Sequence, residues 1–136
     1  MSERKWGFSA GEWSARRSAL EVLLAETAVA RSTVTYGEVA RRVFDGRVSA
    51  RSSAIMSLLG EVDTAAEAEH GIMIASLVVR ADTGMPGDGY FIFAAEELGL
   101  RALDDRRTFW EREVARVWDA YANDGHAPER PAGERT

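Results

Sequence analysis

Apolar positions along the chain follow a helical spacing as far as residue 60, a strand-like one between residues 72 and 93, and a helical one again from residue 103. From Ser14 onward, Ala15, Ala19, Leu20, Leu23, Leu24 and Ala28 recur three and four residues apart, which puts them on one face of a helix. Residues 29–34 break that period and lead to Thr35. A second helix is expected there, with Val39, Ala40 and Val43 facing inward and Arg41 and Arg42 outward. It opens on a capping box, in which Thr35 accepts from the backbone N–H of Glu38 and Glu38 reaches back to Thr35. Asp45-Gly46 is a turn signal. A third helix is expected from about Ser49, with Ala50, Ala54, Ile55, Leu58 and Leu59 inward and Gly60 as its terminating glycine.

Residues 61–71 read as a polar linker holding one short helical turn, with Thr64 and Glu67 again at capping-box spacing. The acidic residues Glu61, Asp63, Glu67 and Glu69 are expected on a solvated surface. Residues 72–79 are then a continuous apolar run of strand length, and Tyr90-Phe91-Ile92-Phe93 is a second. Between them lies an irregular loop containing Gly84, Met85, Pro86 and Gly87. Residues 94–100 are read as a short helix. From Leu103 to about Asn123 an amphipathic helix carries Phe109, Trp110, Val114, Val117, Trp118 and Tyr121 on one stripe. That stripe is either core or an interface for a homodimer. Helix, helix-turn-helix and β-hairpin in this order predict an α+β winged-helix domain over residues 1–124. An N-terminal arm holds Trp6, Phe8 and Trp13, and residues 125–136 form a disordered tail.

Composition narrows the function. The 136 residues are 46% hydrophobic and contain no cysteine, so disulfides, thiolate metal sites and a cysteine nucleophile are excluded. No membrane-spanning run or signal peptide is visible, and the cytoplasm is the expected compartment. The net charge of −5 hides an asymmetry. Residues 1–60 carry nine Lys/Arg against six Asp/Glu, net +3, and residues 61–136 carry eight against sixteen, net −8. The two histidines, His70 and His126, have no companion at metal-ligand or catalytic spacing. Ser76 stands without a base. No metal or cofactor is expected.

The order of a TYGEVA helix at Thr35–Ala40, a helix entered through Ala50-Arg51, an apolar strand, a glycine-rich loop and Gly89-Tyr90 resembles a DNA-repair family. It is similar to the C-terminal domain of O6-alkylguanine-DNA alkyltransferases and to their non-catalytic relatives, the alkyltransferase-like proteins, over roughly residues 15–93. The resemblance implies that Tyr36 presses on the DNA backbone and that Arg51 leads the recognition helix into the space left by a flipped base. It also implies that Ala75 stands in place of the family's nucleophilic cysteine. With that thiol and its neighbouring histidine absent, alkyl transfer is excluded.

Two functions follow as expectations. The first is non-enzymatic binding of double-stranded DNA, in damaged-base sensing or regulation, through Tyr36, Arg41, Arg42, Arg47 and Arg51. A pocket lip would then be formed by Ala75, Ser76, Gly84, Met85, Pro86, Gly87 and Tyr90. The second is a protein-interaction module that kept the fold and lost DNA binding, which the acidic second half favours. Arg41, Arg42 and Arg47 read also as part of a solvated helix face, Arg51 being the exception because its position matches the family, and Tyr36 reads equally as a packing residue.

Overall fold

Capping residues start most of the helices. In the computed structural model, which describes residues 5–122 and 127–135, Ser9 accepts from the Glu12 N–H while the Glu12 side chain accepts from the Ser9 N–H. This capping box begins α1 (Ala10–Val29) a turn before the apolar spacing does. Phe8 and Trp13 are buried against Phe44, with ring centroids 5.6 and 6.5 Å from it. The N-terminal arm is therefore part of the core, whereas Trp6 stays 53% exposed.

Val34–Thr35 forms β1, and Thr35 caps α2 (Tyr36–Phe44) by accepting from the Glu38 N–H at 3.2 Å. The Glu38 carboxylate accepts from the Thr35 hydroxyl, not from its backbone. Val39, Ala40 and Val43 are buried, and Arg41 and Arg42 are exposed, as the spacing predicts. Asp45 (φ 54) and Gly46 (φ 73) make the left-handed turn that ends the helix.

The third helix departs from expectation. α3 (Ser53–His70) starts from a Ser52 cap and runs straight through Gly60. Gly60 is an interior glycine placed against Phe93, and a Cβ there would lie 3.5 Å from that ring. The terminating glycine is Gly71 (φ 66), whose N–H donates to the Glu67 carbonyl at 3.0 Å. The expected linker is thus more helix, and Thr64 donates to the Gly60 carbonyl in mid-helix. Ile55, Leu58, Leu59 and Val62 continue one buried face.

The expected β-hairpin does not form. Residues 72–79 are all buried, but Ile74–Leu77 winds into a 3₁₀ turn and only Val78–Val79 is a strand, β2. β2 pairs in parallel with β1, Val34 opposite Val78 and Thr35 opposite Val79. Side chains replace a strand partner for the backbone before it: Glu113 accepts from the Met73 N–H at 2.8 Å and Asp63 from the Ala75 N–H at 2.7 Å. The second expected strand lies in α4 (Asp88–Glu96), which buries Tyr90, Phe91 and Ala94. Four aromatic and aliphatic residues are too short a run to distinguish a period of two from one of 3.6. Among the described residues the architecture is helical, with one small parallel sheet.

α5 (Arg106–Ala122) begins where the Asp105 carboxylate accepts from the Thr108 N–H and hydroxyl. Its Phe109, Val114 and Val117 are buried, and Trp110, Trp118 and Tyr121 pack at the edge of the core, so the apolar stripe is used inside the chain. Residues 127–135, expected as disordered tail, return to the body, where the Arg101 N–H donates to the Glu134 carbonyl. The Arg130 guanidinium sits among Glu67, Glu113 and Glu134, with its side chain 4% exposed. Burial works against that charge, yet the Glu67 and Glu113 carboxylates hold its pKa above the usual value. His126 lies outside the described residues. None of the described helices is long and apolar enough to cross a membrane.

Two stability measurements check this description. Gly60→Ala is expected to raise stability by about 1 kcal/mol in urea denaturation, because the helix interior gains propensity and the methyl has room. A loss would mean that Gly60 ends the helix. Arg130→Met leaves Glu113 buried with less compensation and is expected to cost about 3 kcal/mol. Replacement of the exposed Arg107 serves as the control and is expected to be near neutral.

Candidate functional site

α2, the start of α3 and the segment after β2 enclose a cleft of about 800 Å³. Tyr36, Arg41, Ala50 and Arg51 line one side, and Arg80, Asp82, Gly87 and Asp88 the other. Thr35 fixes the first turn of α2, so Tyr36 is directed across the cleft, where its hydroxyl accepts from the Gly87 N–H at 3.1 Å. Burial raises the pKa of Tyr36, the Gly87 N–H opposes the shift, and the Asp63 charge adds to it. The phenol is neutral near pH 7 and pins the loop to α2.

The arginines divide into two sets. Arg41 and Arg51 are exposed at the cleft, and among the described residues neither side chain makes a hydrogen bond or an ion pair. Arg42 pairs with Glu26 and Arg47 with Glu12, each at 3.8 Å, and Arg47 also lies over the Phe8 ring. Neither of these two lines the cleft. Arg80, which sequence reasoning passed over, does line it, but Asp82 holds its guanidinium through two hydrogen bonds of 2.9 and 2.7 Å.

The glycine-rich loop closes mainly on itself. The Arg80 N–H donates to the Met85 carbonyl and the Gly84 N–H to the Arg80 carbonyl. Gly84 takes φ 72, Met85 packs on a hydrophobic cluster and Pro86 is buried. Gly84, Met85 and Pro86 therefore form no part of the lip, and only Gly87 of that group reaches the cleft. Ser76 is fully buried, with its hydroxyl bonded to that of Tyr90. It is a packing residue.

Ala75 and Tyr90 belong to a second cavity, of about 380 Å³, which shares Tyr36, Met56 and Gly89 with the cleft. Its surprise is Asp63, expected on a solvated linker but only 3% exposed. Burial, reinforced by the Glu113 and Glu67 charges, pushes its carboxyl from 3.8 up to about 8, although the Ala75 N–H and Arg130 favour the ionised form. The sequence signal was there: Asp63 follows Leu59 by four residues and Val62 by one, on the inward face once Gly60 no longer ends the helix.

Comparison of the chain with protein-family models, with curated proteins and with solved structures finds no match.

Asp63 gives stability a direction with pH. Its raised folded-state value means that the stabilisation is complete below the ordinary 3.8 and is lost as pH climbs through about 8. Wild-type protein is expected to weaken between about pH 4 and about pH 8. Asp63→Asn keeps an acceptor for the Ala75 N–H and should remove that component. Equal slopes in urea denaturation for the two proteins would show that Asp63 titrates normally.

Proposed function

We propose that the chain is a non-enzymatic, double-stranded DNA-binding protein of the alkyltransferase-like kind. The observation that carries this reading is the pair of uncommitted arginines, Arg41 and Arg51, exposed on one cleft beside Tyr36. Guanidinium groups without protein partners, spaced along a helix and the entrance of the next, are suited to phosphate oxygens and to a groove edge. In this reading α2 lies along the sugar-phosphate backbone and the Ala50-Arg51 entrance to α3 leads into the groove. The segment from Arg80 to Gly87 takes the place of a wing without a second strand. Arg42 and Arg47, tied to carboxylates, contribute little. Ala75 in the adjoining cavity, where the resemblance puts a nucleophile, leaves recognition without transfer.

Asp82 and Asp88 on the same cleft support a second reading, a protein partner that carries both signs of charge. Fluorescence anisotropy with duplexes containing guanine or O6-methylguanine separates the two. DNA binding should weaken linearly on a logarithmic salt scale; Arg41→Ala should reduce that slope by about one phosphate contact, and Arg51→Ala should weaken binding and relax discrimination between the two duplexes. Arg107→Ala should leave the slope unchanged. Tighter binding to the modified duplex would make damaged-base sensing the function. No binding at low salt would overturn the DNA reading and leave the protein partner.

A further inference from the structure

The smaller cavity combines features that the DNA reading does not use. Trp6, Tyr36, Tyr90 and Phe93 line it together with Met56, and Asp63 is the least exposed residue in its wall. Aromatic faces and a thioether are apolar surfaces that also attract cations. A carboxyl among them is costly to bury unless something compensates it.

Within the protein little does. The Ala75 N–H makes the one hydrogen bond to the Asp63 side chain among the described residues, and that side chain forms no ion pair there. The nearby cations are committed elsewhere: Arg116 bonds Glu113 and the Pro128 carbonyl, and Arg130 bonds Glu67 and Glu113. Glu67 and Glu113 add negative potential at Asp63. A neutral apolar guest would leave this carboxyl in its protonated form, whereas a cation can take the place of the proton that neutralises it below about pH 8.

We propose that this cavity binds a small organic ammonium cation, with its charged head against Asp63 and its alkyl groups among the aromatic side chains. The proposal does not rest on DNA binding, although Tyr36 and Met56 border both cavities. The ionisation that binding requires is accessible, because Asp63 titrates at about 8. Near neutrality, binding then expels a proton. Of the other groups that face Asp63, Tyr36 and Tyr90 are both raised above 10 and stay neutral, and Glu67, Glu113 and Arg130 are locked in their own ion cluster.

Calorimetric titration of the full chain with choline and with its neutral isostere 3,3-dimethylbutan-1-ol tests this. Choline is expected to bind more tightly than the alcohol. Its affinity should rise about tenfold per pH unit from about pH 6 and level off near pH 8, with release of up to about one proton measured in buffers of different ionisation heat. Asp63→Asn should abolish both the pH dependence and the preference for choline. Trp6→Ala, at an exposed side chain, should weaken choline and keep the pH profile. Equal binding of the alcohol, a flat pH profile or no choline binding would each overturn the proposal. Should Asp63→Asn fail to fold, the wild-type profile and proton count decide it.

Discussion

Two buried carboxylates, Glu113 from α5 and Asp63 from α3, hold the backbone through which the rest of the molecule is connected. Residues 73–75 pass through the core without strand neighbours, and backbone N–H groups left unpaired there would cost as much as lost hydrogen bonds. Glu113 takes the Met73 N–H and Asp63 the Ala75 N–H. With those satisfied, the 3₁₀ turn can form and β2 emerges in register with β1. That pairing sets α2 beside the segment entering α4, and so sets the walls of the cleft. The two carboxylates are compensated differently. Glu113 is surrounded by Arg116 and Arg130, while Asp63 pairs with no cation among the described residues.

The same arrangement changes the meaning of the acidic composition. Part of the negative charge in residues 61–136 is not on the surface: Asp63, Glu113 and Glu134 are buried and the Glu67 side chain is 15% exposed, with Arg116 and Arg130 buried among them. The exterior is therefore somewhat less acidic than the overall charge of −5, although it stays net negative. The cleft has mixed character, with free arginines on the α2–α3 side and aspartates opposite. A surface of that kind discriminates between partners by the position of charge more than by its total.

The candidate site was legible in part. Tyr36, Arg41 and Arg51 meet at one cleft because a capped helix and the entrance of the next present them, and both features are local. Arg42 and Arg47 come from the same short stretch but point to Glu26 and Glu12 of α1, a choice made by packing. Arg80 and Asp63 were missed for opposite reasons. Arg80 sits at the end of a run read as half of a hairpin, and Asp63 was placed on a linker because Gly60 looked like a helix end. Gly84, Met85 and Pro86 suggested a ligand loop, yet their backbone and side chains are used to close the loop itself.

What the sequence alone determined is whatever rests on bonds within about one helical turn. These are the Thr35 cap, the Asp45-Gly46 turn, the inward face of α2, and the amphipathic course of α1 and α5. Tertiary structure decided whether Gly60 stops a helix, whether residues 72–79 extend or wind, whether Tyr90–Phe93 is strand or helix, and whether residues 127–135 are held. Each of those outcomes depends on partners far away along the chain: Phe93 for Gly60, Glu113 for Met73 across 40 residues, and Glu67 for Arg130 across 63. An apolar run reports that it will be buried. The groups that accept its N–H bonds decide its shape.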